Sequence, residues 1–148
     1  MQKNTLNYFE QAKNNDNDNK LVIGGSFETA TSGQSLKKTY LAVDMTDVST
    51  AATVYIPSPV AGTISKIYTI INGAIATADA IITGKIGAVA ITNGAVTIAN
   101  SGSAAGDVDS TTPTAANTVA AGDNINFTTN GASTNTVRAT ILVEITLS

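Results

Sequence analysis

The stretch VRATILVEITL, residues 137–147, decides the fold because its apolar side chains recur at every second position. Polar side chains take most of the positions between them, and Leu142 is the apolar exception. Successive side chains of a β-strand point to opposite faces, so the pattern predicts a long strand with one buried face and one mostly solvated face. The residues expected in the subunit core are Val137, Ala139, Ile141, Val143 and Ile145.

The segment before this strand repeats the alternation, with Ile125 and Phe127 between polar neighbours. Residues 129–135 separate the two strands and contain Asn130-Gly131, a dipeptide typical of β-turns. The connection is longer than a tight two-residue turn. These features predict a loose hairpin formed by the last two strands of the chain.

Short apolar segments of strand character, separated by turn residues, occupy most of the chain upstream. They are residues 40–43, 53–56, 64–71, 80–86, 88–92 and 95–98. Residues 99–118 are small, polar and turn-prone, which predicts a long loop. The pattern as a whole predicts an all-β protein, a single β-sandwich or jelly-roll-like domain. It leaves the strand order open, because an immunoglobulin-like sandwich has the same signals.

The N-terminal quarter has a different character, and we interpret residues 1–38 as an extended arm and residues 39–148 as the sandwich domain. A frayed N-terminus is the alternative interpretation of the same segment. Residues 14–19 are all Asn or Asp and favour turns. Scattered apolar side chains in the arm would gain buried area only by docking, either on another subunit or back on their own domain. These candidate anchors are Leu6, Tyr8, Phe9, Leu21, Val22 and Ile23.

The composition limits the possible partners. The chain has 148 residues, a net charge of -3, and only 13% charged residues, against about 25% in typical soluble domains. No basic stripe is present to neutralise phosphates, so we expect no binding to nucleic acid. Apolar runs are broken too often for a membrane span. A neutral, hydroxyl-rich surface of this kind suits an extracellular or virion-exposed β-protein.

The sequence offers no reaction centre. It has no histidine and no cysteine, which removes the commonest general base, the commonest zinc ligands and the thiol nucleophile. Ser65 and Lys66 are adjacent, and alternation along a strand is expected to place them on opposite faces. Asp107 and Asp109 are interpreted as solvated loop residues. We therefore expect no enzyme, no cofactor and no metal site.

Three segments carry a resemblance to a known family. They are residues 54–64 (VYIPSPVAGTI), residues 70–73 (IING) and residues 122–125 (GDNI), followed by the Thr-Asn-Gly-rich connection near the C-terminus. Across roughly residues 36–148 the chain resembles the small β-rich decoration, or cement, proteins of tailed-bacteriophage capsids.

The resemblance implies a structural virion protein on the outer capsid surface. Such proteins are typically homotrimers of jelly-roll or related sandwich subunits, and they bridge subunits of the major capsid protein after head expansion. The six arm residues named above are then the candidate capsid contacts. Leu142 and Tyr55 are two candidates for the trimer contact.

Other functions remain open at this point. One is a glycan- or receptor-binding module of a phage head fibre or tail fibre, although the absence of tryptophan disfavours an aromatic sugar platform. Another is a subunit of a surface layer or pilus, which would polymerise without closure.

Overall fold

A computed structural model describes residues 38–148, and the fold within that range is built from β-strands. The candidate capsid contacts Leu6, Tyr8, Phe9, Leu21, Val22 and Ile23 lie outside the described residues. Nine strands follow one another along the chain: β1 (Lys38–Met45), β2 (Thr53–Pro57), β3 (Gly62–Ile71), β4 (Ala80–Ile86), β5 (Val89–Ile98), β6 (Val108–Thr111), β7 (Thr118–Val119), β8 (Asn124–Thr129) and β9 (Ala139–Leu147).

The strands form two antiparallel sheets whose order is that of a jelly roll. One sheet has the order β1-β9-β3-β6, with the short β7 also paired to β3, and the other has the order β2-β8-β4-β5. Most connections cross from one sheet to the other, and β4–β5 is the tight hairpin. The all-β sandwich prediction is confirmed, and the strand order that the sequence left open is the double-sheet order of a jelly roll.

The core lies between the inner faces of the two sheets, as in other β-sandwiches. Alternate residues of β9 supply much of one side, and Ile125 and Phe127 of β8 supply the other side. All the β9 residues predicted to be in the core are buried, and so is Val137, which precedes the strand. The period-two prediction for the end of the chain is therefore confirmed.

The predicted hairpin between the last two strands is wrong. β8 pairs with β2 and β4, whereas β9 pairs with β1 and β3, so the two strands belong to different sheets. Gly131 has a positive φ of 65°, and its amide donates to the hydroxyl of Thr129. The turn residues are real, but they carry the chain from one sheet to the other instead of returning it alongside its neighbour.

Two further sequence expectations differ from the structure. Residues 88–92 and 95–98 were predicted as separate segments, but residues 89–98 form one strand, β5. This strand contains Asn93 at a positive φ of 56°, and its register with β4 is irregular. The predicted loop over residues 99–118 contains β6 and starts β7, and both of these strands pair with β3. Short polar strands at a sheet edge bury few apolar side chains, so the alternation that would reveal them is weak.

Candidate functional site: the outer face of the five-stranded sheet

The outward side of the sheet containing β9 carries a continuous apolar area. Leu142 lies opposite Ala42 of β1 and Tyr68 of β3, and Ile70 of β3 lies opposite Val108 of β6. Together with Tyr40 these side chains span the four neighbouring strands. We call this area the outer apolar face; its residues are Tyr40, Ala42, Tyr68, Ile70, Val108 and Leu142.

The outer apolar face is shallowly concave, with a groove of about 400 Å³ lined almost entirely by apolar atoms. Tyr40 is 54% exposed and Val108 is 60% exposed. Isolated exposed apolar side chains are ordinary on protein surfaces, but a contiguous group across four strands is typical of an interaction site.

A buried carboxylate borders the groove at one end. Glu144 of β9 is only 7% exposed, although it lies on the outward side of the sheet. Its Oε1 accepts from Lys38 Nζ at 2.9 Å and from Ser65 Oγ at 2.7 Å, and its Oε2 accepts from the Tyr40 hydroxyl at 3.1 Å. The pKa of the Glu144 carboxyl is lowered below its ordinary value, most by the hydrogen bond from Lys38 and next by the hydrogen bond from Ser65.

A β-bulge explains how Ser65 reaches this carboxylate. The register of β3 against β9 shifts between Ile64 and Lys66, so Ser65 is the extra residue. Strict alternation, which was expected to separate Ser65 from Lys66, fails here because a bulge redirects side chains locally. Lys66 Nζ lies 4.9 Å from the centre of the Tyr68 ring, within the range of a cation–π contact.

Asp107 and Asp109 line a separate polar pocket of about 210 Å³. Asp107 accepts a hydrogen bond from the amide of Ala104 at 2.7 Å, and burial, followed by the charge of Asp107, raises the pKa of Asp109. Asp109 is on β6, so the interpretation of this pair as loop residues is wrong for Asp109.

Within residues 38–148 no group of three or more acidic side chains is placed to hold a metal ion. The same residues contain no helix that is long and apolar enough to cross a membrane.

The two candidates for a trimer contact are on different sheets. Leu142 is central to the outer apolar face, whereas Tyr55 is on β2 of the other sheet. The sequence did not single out Tyr40, Tyr68, Ile70 or Val108. The alternation of Lys66, Tyr68 and Ile70 on one parity of β3 was an available signal, but the sheet neighbours that complete the face come from distant parts of the chain.

No family model matches the chain, and no curated protein matches it. Among solved structures it is similar to a chain of the Cyanophage Pam1 capsid asymmetric unit, at 16% identity and a TM-score of 0.49, over 86% of this chain and 100% of the other. It is also similar to CsCBM6-3 from Clostridium stercorarium, solved in complex with cellobiose, at 12% identity and a TM-score of 0.45, over 85% and 100%.

A third similarity is to a chain of the disulfide-linked pili of Bacillus endospore appendages, at 17% identity and a TM-score of 0.34, over 75% of this chain and 88% of the other. No family is shown by these similarities.

Proposed function

We propose that the chain is a structural virion protein that decorates the outer surface of a phage capsid, bridges subunits of the major capsid protein and acts as a homotrimer. The observation that carries this proposal is the outer apolar face, a surface suited to burial against protein. The sequence resemblance to capsid decoration proteins is the reason for proposing that the protein is located in the virion. An enzymatic role is not proposed, because the chain lacks histidine and cysteine.

The chemistry of the face supports a protein partner over a sugar. A sugar site needs polar groups that are free to meet hydroxyls, next to its aromatic rings. Both oxygens of Glu144 already accept hydrogen bonds from side chains of the same chain. What remains open is mainly aromatic and aliphatic, which is the composition of the buried centre of a protein interface.

Bridging works by adding contact area across joints between capsid subunits that would otherwise separate. Each buried apolar side chain contributes roughly 1.5–3 kcal/mol when it leaves water. The arm anchors Leu21, Val22 and Ile23 are three consecutive apolar residues in the sequence, and their burial would contribute in this way. We propose these residues, with Leu6, Tyr8 and Phe9, as the contacts with the major capsid protein.

The test uses expanded heads of the phage that encodes the chain, prepared from a mutant lacking its coding sequence. Purified full-length protein is added, unbound protein is removed by sedimentation, and bound copies are counted on quantitative gels and located by electron cryomicroscopy. We expect saturable binding to the outer surface and slower rupture of heads on heating. Heads that bind no added protein, or that rupture at an unchanged rate when saturated, would contradict the proposal.

The main alternative, a glycan-binding module of a head or tail fibre, is favoured by one observation. Tyr40 and Tyr68 lie on the same outward side of one sheet, and aromatic side chains form the usual platforms for sugar rings. A glycan array separates the two functions. Saturable binding to a defined glycan, abolished by Tyr40→Ala, would support the binding module, whereas an empty array favours capsid decoration.

A further inference from the structure

Three identical Asn-Gly-Ala tripeptides occur in the chain, at residues 72–74, 93–95 and 130–132. Asparagine followed by glycine is prone to deamidation, because glycine has no side chain to keep its amide nitrogen away from the neighbouring side-chain amide. Since the tripeptides are identical, a large difference in their reactivity in the folded chain comes from the tertiary structure. We infer that the fold leaves Asn72 open to deamidation and protects Asn93 and Asn130.

The reaction needs only water and a glycine amide that is free to attack. The amide nitrogen of Gly73 gives its proton to a base of the solvent and forms a bond to Cγ of Asn72, closing a succinimide ring. The bond between Cγ and Nδ2 breaks, and the nitrogen takes up a proton and leaves as ammonia. Water then opens the ring at either carbonyl, giving aspartate or isoaspartate. The product has one more negative charge than the natural chain, whose net charge is -3.

The side chain of Asn130 is held at both ends of its amide group. Its Oδ1 accepts hydrogen bonds from the amides of Ile81 at 3.1 Å and Ala132 at 3.2 Å. Its Nδ2 donates to the carbonyl of Asp79 at 3.3 Å. Ring closure would have to break these hydrogen bonds together, so reaction at Asn130 requires a local opening of the fold.

Asn93 is held by the end of β6 and the residue after it. Its Nδ2 donates to the carbonyl of Thr112 at 2.7 Å, and its own carbonyl accepts from the hydroxyl of Thr111 at 2.9 Å. The glycine that would attack is enclosed, because Gly94 is buried and a Cβ built there would lie 2.6 Å from Cβ of Ile91. Both the leaving group and the attacking residue are therefore fixed at this site.

Asn72 has one side-chain hydrogen bond in the described part of the chain, and that bond favours the reaction. Its Oδ1 accepts from the main-chain amide of Arg138 at 2.9 Å. An N–H donor at this oxygen stabilises the negative charge that develops there when a nucleophile attacks Cγ. Within residues 38–148 the attacking amide, that of Gly73, donates to no other group. The electrophile is thus oriented and the nucleophile is free.

The space around the glycines distinguishes the sites in the same way. Apart from adjacent residues, a Cβ built at Gly73 would have only Cγ2 of Val137 within 4 Å, at an ordinary distance of 3.5 Å. At Gly131 the same atom would lie against the main-chain nitrogen of Ala51, and the Gly131 amide donates to the hydroxyl of Thr129 at 3.3 Å. The Gly73 peptide therefore has room to rotate toward the preceding side chain, whereas Gly131 is fixed.

The two products should differ in how well they fit the fold. A carboxylate at position 72 can still accept the hydrogen bond from the Arg138 amide, so the variant Asn72→Asp is expected to fold normally. Isoaspartate adds one carbon to the main chain beside an amide that donates to the carbonyl of Arg138 at 3.1 Å. The isoaspartyl product therefore changes the backbone where β3 ends, in addition to the charge.

The test compares the three sites in the folded and the unfolded chain. Purified full-length protein is incubated in mildly alkaline buffer, with and without guanidinium chloride, and peptide mapping by mass spectrometry gives the deamidated fraction at each site over time. In guanidinium chloride we expect similar rates at Asn72, Asn93 and Asn130. In the folded chain we expect Asn72 to react at least about tenfold faster than either of the others, because they must first break several interactions.

Gly73→Ala is the matched variant for the reactive site. The added Cβ meets only an ordinary contact in the folded chain, but it hinders the attack of the amide nitrogen. We expect this variant to lose most of the deamidation at Asn72 and to keep the natural rates at Asn93 and Asn130. Circular dichroism checks that the variant is folded.

Two results would overturn the inference. One is a rate at Asn72 of the folded chain that is no faster than the rate at Asn130. The other is an excess rate at Asn72 that is equally large in guanidinium chloride, because the local sequence and not the fold would then cause it. The inference does not rest on the proposed function, and neither result bears on the binding of heads.

Discussion

Ser65 Oγ lies 2.7 Å from Oε1 of Glu144, a contact made between β3 and β9 by a bulge in the first strand. The Glu144 carboxylate also accepts hydrogen bonds from Lys38 and Tyr40, so the Ser65 hydroxyl is its third side-chain donor. The bulge thereby anchors one end of the outer apolar face, since it orders the side chains that border the groove.

Removing the Ser65 hydroxyl is expected to destabilise the domain modestly. Hydrogen bonds to charged groups contribute more than neutral ones, but this carboxylate keeps two other donors, so Ser65→Ala should lower the free energy of unfolding by about 1 kcal/mol. Urea unfolding followed by circular dichroism measures the change. Ser110→Ala on exposed β6 is the control and should have no measurable effect. Equal effects of the two substitutions would contradict the role of this hydrogen bond.

The pKa of Glu144 predicts a specific dependence of stability on pH. The pKa of the folded-state carboxyl is lowered from its ordinary value, chiefly by the hydrogen bonds from Lys38 and Ser65. A carboxyl with a lowered pKa contributes stability that is fully present above its unfolded pKa and is lost as pH falls through the folded value. The melting temperature should therefore fall below about pH 4.5 more steeply for the natural chain than for Glu144→Gln.

Part of this acid sensitivity should remain in Glu144→Gln. The pKa of Asp47 is also lowered, by hydrogen bonds from the hydroxyl and amide of Ser49. Asp109 acts in the opposite sense, because burial raises its pKa and its protonation favours the folded state. The melting temperature of the natural chain and of Glu144→Gln is measured from pH 3 to pH 7. If it falls equally steeply in both proteins, Glu144 contributes nothing to the loss of stability in acid.

Two buried threonines should respond oppositely to replacement by valine. Thr69 and Thr129 are both 1% exposed, but the Thr69 hydroxyl has no hydrogen-bond partner among the described residues. The Thr129 hydroxyl donates to the carbonyl of Val48 at 3.0 Å. Thr69→Val should raise the free energy of unfolding by roughly 1 kcal/mol, and Thr129→Val should lower it by about 1–3 kcal/mol.

Denaturant titrations of both threonine variants test this pair of predictions. A loss of stability in Thr69→Val would mean that its hydroxyl is satisfied in solution, for example by an internal water molecule.

Gly62 is expected to tolerate no side chain. A Cβ built at this position would lie against the carbonyl oxygen of Thr146 and 2.7 Å from Cγ2 of Ile145, so β3 and β9 would have to separate. Gly62→Ala should lower the free energy of unfolding by about 3 kcal/mol. At Gly73 the nearest atom to such a Cβ is Cγ2 of Val137, at 3.5 Å, an ordinary contact. Gly73→Ala is therefore the control and should leave the free energy of unfolding nearly unchanged. Thermal unfolding of both variants measures the difference.

The arm anchors give a prediction that is specific to capsid binding. Replacing Leu21, Val22 and Ile23 together by serine should reduce the affinity for heads by at least about tenfold, since burial of each apolar side chain contributes roughly 1.5–3 kcal/mol. A matched triple replacement of Asn15, Asn17 and Asn19 by serine changes the same arm without removing apolar area. Sedimentation with heads measures both, and equal binding by the two triple variants would contradict the assignment of the anchors.

The predictions for the N-terminal arm are not tested by the structure. In the C-terminal half, the predicted connection between the last two strands was wrong. Asn130-Gly131 was correctly recognised as turn chemistry, but the predicted hairpin between β8 and β9 was wrong. A turn sequence specifies local backbone dihedral angles. It does not specify whether the next strand joins the same sheet or the opposite one, and that choice depends on pairing with β1 and β3, far away in sequence.

The sequence by itself determined the all-β class, the strands with clear alternation and the buried parity of β9, because alternation of side chains is a local property of extended backbone. The tertiary structure decided the jelly-roll order, the bulge at Ser65 and the assembly of Tyr40, Tyr68, Val108 and Leu142 into one face. These features arise from hydrogen bonding between distant strands, and the identity of a residue's neighbours across a sheet is set by register.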